Sequence, residues 1–508
     1  MTTKPQKLKI LFVAAEVAPF ATVGGLSQVM YFLPRSLQKM GHDVAIFMPK
    51  YATINEKKHK IKLFATGLKV PTDRENRDKE FICNVKVKVG NKYEPTVYFL
   101  ENMEYYEKRA NVYGYNDDST RFALLSRGAL EFLKTINWVP DVIHANDWHT
   151  GYLVNYLRVN YKYDKKLRPI STLLTIHNLA LQGVIDFLYV SPLESDDGKG
   201  MLAPLVTDRL KKQNSLKRGI IYSDVVNTVS QRYSREVMTP EYGHGLGELL
   251  KEVRAKVYGV LNGLDYTDFN PLTDKLIKKN FSIRTLNNRV ENKIDLQKEF
   301  NLPVDINIPI LALSGRLTDQ KGLDLLIKVL PYLLEEHEIQ FIVVGEGENK
   351  YREFFTNLEK KYPKQIGTHL MANWQIPRKI FAGADLILLP SKFEPGGIVV
   401  IEAMRYGCVP IVRETGGLAD IVRDFDIKTN SGNGFVFKKY SELSFFGALE
   451  RALQIYKCDK MFTSLKKNAM RTDFSWKTSA IKYLDLYKRA MDYRRETLVD
   501  NPAEAFRR

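Results

Sequence analysis

The feature that most constrains the fold of this 508-residue chain is an alternation of short apolar runs with helical patterns, which starts twice. The first series opens with KILFVAAE at residues 9–16 and includes DVIHAN at residues 141–146; the second opens with IPILALSGR at residues 308–316. Such alternation is typical of parallel strands joined by crossover helices. A chain of this length also exceeds one ordinary core. The sequence therefore predicts an α/β protein of two Rossmann-like, doubly wound parallel-sheet domains.

The division between the domains is expected in a polar segment, residues 264–307, which is rich in Lys, Asn and Asp. We predict an N-terminal domain over residues 1–270, a C-terminal domain over 271–480, and a final helix in 481–508 that packs back on the first domain. Three apolar runs without intervening helices, IKLFATGL, FICNVKVKV and PTVYFL, are expected to extend the first sheet.

Composition limits the possible partners. The net charge is +17, but the lysines are spread along the chain and no nucleic-acid motif accompanies them, so no nucleic-acid partner is expected. We find neither an apolar run of about 18 residues, which a membrane span needs, nor a signal-peptide pattern. The three cysteines lie far apart and form no zinc motif. These observations predict a cytoplasmic protein that does not enter a membrane.

Ligands of doubly wound sheets bind at the carboxyl ends of the strands, where the strand order reverses. Two such sheets facing each other predict a site in the cleft between them. Gly24-Gly25 and Gly416-Gly417 each follow a strand and open a helix, where backbone N–H groups can meet an anion, or where the chain simply turns. Gly345 and Gly347 lack the third glycine of a dinucleotide fingerprint, so NAD binding is not expected.

Charged residues at other strand ends suggest a diphosphate and sugar hydroxyls. Arg316 and Lys321 flank the loop SGRLTDQKG and could stabilise a leaving diphosphate, although two solvated surface cations would look the same. Glu394 and Glu402, in PSKFEPGGIVVIE, could accept hydrogen bonds from sugar and ribose hydroxyls.

Histidines end two strands of the first half. HANDWHTG places His144, Asp147 and His149 at one strand end, and TIHNLALQG places His177 at another. Such a histidine can donate to a sugar hydroxyl or can be purely structural. No third ligand follows at metal-binding spacing, so no metal site is expected.

These segments together resemble the bacterial glycogen synthase and plant starch synthase family of retaining glucosyltransferases, which have the GT-B fold. The resemblance rests on AAEVAPFATVGGL, DVIHANDWHTGYL, LLTIHNLALQG, RLTDQKGLDLL, AGADLILLPSKFEPGG and RETGGLADIV, and it covers nearly the whole chain. It implies glucose transfer from ADP-glucose to the non-reducing-end 4-hydroxyl of an α-1,4-glucan, with retention of configuration. The implied partners are the nucleotide sugar and the glucan, with no cofactor and no metal.

The resemblance also implies roles for individual residues. Asp147 and His177 would line the sugar pocket, with Asn262 contacting the site. Arg316 and Lys321 would hold the diphosphate, and Glu394 would bind the transferred glucose. The remaining predicted donor contacts are Gly24, Gly25, Glu402, Thr415, Gly416 and Gly417.

Two departures from the family pattern leave the donor open. Thr22 stands where the family has a lysine that contacts the donor, and Glu402 occupies a position that is often not acidic in these synthases. The alternatives are therefore a related hexosyltransferase with another donor, such as UDP-glucose, or another acceptor, and a non-catalytic glucan-binding scaffold. Trp374 could stack on a nucleobase.

Overall fold

A computed structural model describes residues 7–75, 78–184, 196–373 and 375–500. Trp374 lies outside these ranges. The chain forms two compact units: unit 1 comprises Met1–Val229, Ser234–Val260 and Trp476–Arg508, and unit 2 comprises Ser230–Tyr233 and Leu261–Ser475. Within the described residues, no helix combines the length and apolar character that crossing a membrane requires.

Unit 1 is built on a nine-stranded sheet in the order β3-β4-β5-β2-β1-β6-β7-β8-β9. All neighbours are parallel except β3 with β4 and β4 with β5. The three predicted extra strands therefore do extend the sheet. The strands are β1 Lys9–Val13, β2 Asp43–Pro49, β3 Lys62–Pro71, β4 Glu80–Lys88, β5 Thr96–Glu101, β6 Val142–Asn146, β7 Ser171–Ile176, β8 Val225–Thr228 and β9 Val257–Gly259.

Helices cover this sheet because their apolar residues recur every three or four positions. In α1, Leu26, Val29, Leu33 and Leu37 are buried on one stripe. In the described residues up to position 252, the α-helices are α1 Gly25–Lys39, α2 Glu56–His59, α3 Asp118–Thr135, α4 Gly151–Val159, α5 Asp208–Lys211, α6 Ser215–Tyr222, α7 Gln231–Glu236 and α8 Gly247–Glu252.

Unit 2 is built on a six-stranded parallel sheet in the order β12-β11-β10-β13-β14-β15, the Rossmann order. Successive strand residues point to opposite faces, so Leu311 and Ile310 belong to separate apolar cores on the two sides. The strands are β10 Ile310–Ser314, β11 Gln340–Val344, β12 Ile366–His369, β13 Leu386–Leu389, β14 Val409–Arg413 and β15 Phe435–Phe437. The helices are α9 Arg289–Glu299, α10 Leu323–Glu336, α11 Asn349–Lys361, α12 Ile376–Gly383, α13 Ile398–Arg405, α14 Gly416–Ile421, α15 Glu442–Tyr456 and α16 Asp459–Arg471.

The last helix, α17 Trp476–Asp500, belongs to unit 1. Trp476 stacks on Phe32 of α1 with ring centroids 6.3 Å apart. Tyr483 and Tyr487 are fully buried and bond to polar side chains of the sheet: Tyr487 Oη lies 2.9 Å from His144 Nδ1, and Asn227 Nδ2 donates to Tyr483 Oη at 3.2 Å.

The units divide at residues 260/261 and 475/476, whereas the sequence placed the boundaries at 270/271 and 480/481. The difference has a packing cause. Leu264 is buried in the core of unit 2, with Tyr266 and Phe269 packed against it. The N–H of Leu264 also donates to Phe474 O at 2.7 Å, so the segments next to these two boundaries are hydrogen-bonded to each other.

Candidate active site

In unit 2 the strand order reverses between β10 and β13, and the loops after these two strands pack together. Gly322 ends the first loop with φ 68°, and an added Cβ would lie 2.0 Å from Pro390 O. The N–H of Lys392 donates to Gln320 O at 2.9 Å. Only glycine allows this approach, which brings the loop that carries Lys321 against the loop that carries Glu394.

The approach joins two predicted site residues in an ion pair. Lys321 Nζ lies 2.5 Å from Glu394 Oε2, and the Ser391 hydroxyl donates to the same oxygen at 3.4 Å. Glu394 is buried, with 8% of its surface exposed, while Lys321 is partly buried. Arg316, by contrast, is exposed at the end of β10. The structure therefore brings Lys321 and Glu394 together and leaves Arg316 at the surface beside their loop.

The second glycine pair holds the backbone of Glu394. The N–H of Gly417 donates to Glu394 O at 2.8 Å. Gly416 has φ 45°, and an added Cβ would lie 2.1 Å from the same carbonyl oxygen. Thr415, which precedes α14, is buried. The N–H of Gly417, a predicted phosphate contact, is thus already engaged, and both glycines allow close backbone packing.

Glu402 lies on α13, the helix that follows the Glu394 loop, in a different electrostatic environment. Burial raises the pKa of its carboxyl to about 7; the charge of Arg378 lowers it, and that of Asp268 raises it further. Arg378 itself is bound to Asp268 and Asp274 at 2.7 Å and 3.0 Å. Among the residues that the structure describes, the Glu402 carboxyl group makes no side-chain hydrogen bond, so its oxygens remain available as acceptors.

Asn262, the other predicted contact of unit 2, is buried with 5% of its surface exposed. Its Oδ1 has no hydrogen-bond partner within the described part of the chain. A buried amide oxygen normally accepts a hydrogen bond, so this atom is suited to a ligand hydroxyl.

In unit 1 the strand order reverses between β1 and β6, and Asp147 directly follows β6. Its backbone adopts φ 56°, and its Oδ1 accepts the N–H of His177 at 2.7 Å. Burial raises the pKa of the Asp147 carboxyl to about 7, against the lowering effect of backbone N–H groups of His177 and Asn178. The structure therefore brings Asp147 and His177 together, as the sequence predicted, with the carboxylate holding the backbone at the end of β7.

The side chain of His177 is held by a residue that the sequence patterns did not single out. His177 Nε2 lies 3.1 Å from Asn146 Oδ1. Burial lowers the pKa of His177 to about 4, so the imidazole is neutral at pH 7. Asn146 is the last residue of β6 and directly precedes Asp147, a strand-end position that could have marked it.

The two other histidines of this region differ in their surroundings. His144 is fully engaged by Tyr487 and by Thr175 Oγ1 at 2.7 Å, which makes it structural. His149 stacks on Tyr113 with ring centroids 4.8 Å apart, and burial lowers its pKa to about 3. Its buried Nδ1 has no partner in the described ranges.

The first glycine pair is organised by a second residue that the sequence patterns did not mark, Glu16. Glu16 Oε2 accepts the N–H groups of Val23 and Gly24, both at 2.8 Å, and Oε1 accepts the Tyr113 hydroxyl at 3.0 Å. A carboxylate therefore occupies the Gly24 N–H that was predicted to meet the donor. Gly25 and Thr22 are exposed, and an added Cβ on Gly25 would meet nothing within 4 Å.

Metal ligands are scarce in the described residues. There, the carboxylates of Glu56, Glu101 and Glu107 are the only three potential ligand groups close enough to share an ion. Lys50 Nζ lies 3.0 Å from Glu56, and the Lys86 ammonium pairs with Glu56 and Glu101. Two ammonium groups thus offset two of the three negative charges of this cluster.

The chain is similar to known glycosyltransferases. A family model described as the starch synthase catalytic domain matches residues 9–252, and one described as glycosyl transferases group 1 matches residues 297–471. A glycogen synthase of Clostridium beijerinckii is 40% identical over 487 residues, covering 95% of this chain and 99% of the relative. One of Desulforudis audaxviator is 38% identical over 499 residues, covering 96% and 97%.

Two solved structures are also similar. The catalytic domain of starch synthase IV from Arabidopsis thaliana, solved bound to ADP and acarbose, has a TM-score of 0.81 and 32% identity, covering 96% of this chain and 100% of that one. Sucrose-phosphate synthase from Thermosynechococcus elongatus has a TM-score of 0.57 and 17% identity, covering 95% and 98%, and shares the fold alone.

Two doubly wound units with polar residues at their strand ends, matched by two glycosyltransferase family models, define a GT-B glycosyltransferase. The two glycogen synthases are 38–40% identical to this chain over nearly its whole length, which narrows the glycosyltransferases to one family. The chain belongs to the family of bacterial glycogen synthases and plant starch synthases.

Proposed function

We propose that this enzyme transfers glucose from ADP-glucose to the 4-hydroxyl at the non-reducing end of an α-1,4-glucan, with retention of configuration. The observation that carries the proposal is the Lys321–Glu394 pair at the switch point of unit 2. An ammonium suits a diphosphate, and a carboxylate suits sugar hydroxyls. The starch synthase structure bound to ADP and acarbose supports both ligand classes.

The pair also indicates how the donor is received. Lys321 and Glu394 neutralise each other at 2.5 Å. A bound donor replaces both contacts, because the diphosphate draws the ammonium and glucose hydroxyls donate to the carboxylate. Neither charge is then left unpaired in a partly buried place, which would be costly.

In the reaction, the bond from glucose C1 to the phosphate oxygen breaks and the bond from C1 to the acceptor O4 forms on the same face. The acceptor proton passes to the departing ADP. Lys321 stabilises the charge that develops on the diphosphate, and Arg316 adds a second cation. Asp147 is not available as a nucleophile because its carboxylate binds backbone N–H groups, so we propose front-face attack without a covalent enzyme intermediate.

We place this reaction in the cytoplasm. The three cysteines, Cys83, Cys408 and Cys458, form no disulfide, as expected in a reducing compartment.

The decisive assay supplies the protein with ADP-glucose or UDP-glucose, with and without glycogen, and follows nucleoside diphosphate release and glucan growth. ADP release that requires glycogen supports the proposal. Efficient turnover with another donor, or with an acceptor other than glucan, would instead identify the related hexosyltransferase. Absence of turnover with retained glycogen binding would identify a non-catalytic scaffold.

A matched pair of variants connects the activity to the site. Lys321→Met should lower kcat on the order of 10²–10³-fold, because the leaving group loses a preorganised cation. Lys328→Met is the control, since Lys328 makes an ion pair of similar length, 2.7 Å to Glu442, on the exposed surface. We expect the control to keep its turnover; equal turnover in both variants would remove Lys321 from the reaction.

A further inference from the structure

The orientation of the Asn146 carboxamide is fixed by its surroundings. Asn146 is buried, with 1% of its surface exposed. Its Nδ2 donates to two carbonyl oxygens, Val13 O at 3.2 Å and His144 O at 3.1 Å. The reverse orientation would point the amide oxygen at both carbonyls with no hydrogen between them. Oδ1 must therefore be the atom that faces His177, and it can only accept a hydrogen bond.

This orientation determines which nitrogen of His177 carries the proton. Nε2 lies 3.1 Å from Asn146 Oδ1, so Nε2 must be the donor. A neutral imidazole has one N–H and one acceptor nitrogen, and burial keeps His177 neutral by lowering its pKa to about 4. The neighbouring titratable groups are His144 and His149, which are buried bases with lowered pKa values, and Asp147, whose Oδ1 is bound to the His177 backbone. Nδ1 is thus left unprotonated.

We propose that Asn146 is a positioning residue, which holds His177 in the Nε2–H form so that Nδ1 accepts a hydrogen bond from a hydroxyl of the transferred sugar. The inference rests on the proposed function for the identity of the sugar, but the tautomer itself does not. It reverses the expectation that a strand-end histidine donates to the sugar. A ligand group that can only accept hydrogen bonds would face the lone pair of His177 Nδ1, and the two acceptors would repel each other.

The tautomer is measured directly on the full-length protein without substrate. The eight histidines, labelled with ¹⁵N, give one pair of Nδ1 and Nε2 signals per imidazole, and the pair of His177 is assigned by its loss in His177→Gln. At pH 7 we expect the Nδ1 shift of an unprotonated nitrogen and the Nε2 shift of a protonated one. The opposite pattern, or a doubly protonated ring, overturns the proposal whatever the enzyme's substrate is.

A double-mutant cycle tests whether Asn146 acts through His177. Asn146→Leu keeps a similar shape and removes the acceptor, and it should lower kcat/KM about tenfold, the kinetic equivalent of one hydrogen bond. In a His177→Ala background the same change should cost less than about twofold, because the ring that it positions is gone. An equal loss in both backgrounds means a structural role and overturns the proposal.

Asn227→Leu is the matched control for loss of a buried amide. Asn227 is fully buried on β8 and donates to Thr175 and Tyr483, but it makes no contact with His177 among its hydrogen bonds. Its effect should be the same with and without His177. If Asn146→Leu does not fold, Asn146→Thr retains an acceptor of smaller size and should show an intermediate, His177-dependent loss; a loss independent of His177 overturns the proposal.

Discussion

Replacing Gly416 with alanine should damage catalysis through the backbone of Glu394. Gly416 has φ 45°, and an added Cβ would lie 2.1 Å from Glu394 O and 2.9 Å from Glu394 C. These are backbone atoms that cannot rotate away. Ordinary contacts between carbon and carbonyl oxygen are about 3.3–3.6 Å, so the Glu394 segment must move by roughly an ångström.

Two costs add for Gly416→Ala. The left-handed backbone costs an alanine roughly 1–2 kcal/mol, and relieving the overlap costs about 1–3 kcal/mol more. The displacement also separates Glu394 from its aligned position beside Lys321. A misplacement of about 1 Å can lower turnover roughly 100-fold, so we expect kcat to fall by about this factor.

Gly407→Ala separates the two costs because it carries the cost of the left-handed backbone but not that of the overlap with backbone atoms. Gly407 lies in the same unit with φ 72°, and the nearest atom to its added Cβ is the flexible Met470 Sδ at 3.2 Å. Thermal unfolding and steady-state glucan extension are measured for both variants. The control should lose stability but retain its rate. Near-normal kcat in Gly416→Ala, or equal stability losses in the two variants, would show that the Glu394 backbone is not held by this contact.

Three further changes test other parts of the molecule. Thr22→Lys restores the family cation beside the exposed glycine loop and should tighten ADP-glucose binding by about 1.5–3 kcal/mol, measured calorimetrically; unchanged affinity would show that the loop has another use. The pKa of Asp147 is raised to about 7 in the folded protein against about 3.9 in the unfolded chain. The folded state therefore binds the extra proton between these values, and stability falls as pH rises from about 4 to about 7. Asp147→Asn should flatten this fall in thermal melts at pH 5 and 8, and an unchanged slope would contradict the assignment. Tyr487→Phe leaves the buried His144 Nδ1 without its partner and should lower the free energy of unfolding by about 1–3 kcal/mol in urea titrations. Tyr493→Phe removes a solvent-exposed hydrogen bond to Ala255 O from the same helix and should change this free energy by less than about 0.5 kcal/mol; equal losses would remove the special role of the buried bond.

The sequence alone determined the two doubly wound sheets and the strand ends that carry the polar residues. These features depend on local signals: apolar runs of strand length, helical periodicity, and glycines at strand-to-helix turns. Parallel strands present their carboxyl ends at one edge, which predicted a site there. The family resemblance then assigned Asp147 and His177 to the sugar pocket, Lys321 to the diphosphate and Glu394 to the transferred glucose. Both pairs are close in the folded protein.

Tertiary structure alone decided what each of these groups is bonded to. Lys321 and Glu394 are 73 residues apart, and their ion pair exists because Gly322 lets one loop pack on the other. Glu16 Oε2 accepts the hydrogen bond of the Gly24 N–H. Asn146 Oδ1 accepts a hydrogen bond from His177 and so determines that Nε2 carries the proton. The hydrophobic periodicity of the sequence does not predict such contacts, because each requires loops after different strands to lie within hydrogen-bonding distance of each other. The sequence therefore determined which residues reach the site, while packing between distant segments decided which atoms remain free to bind a substrate.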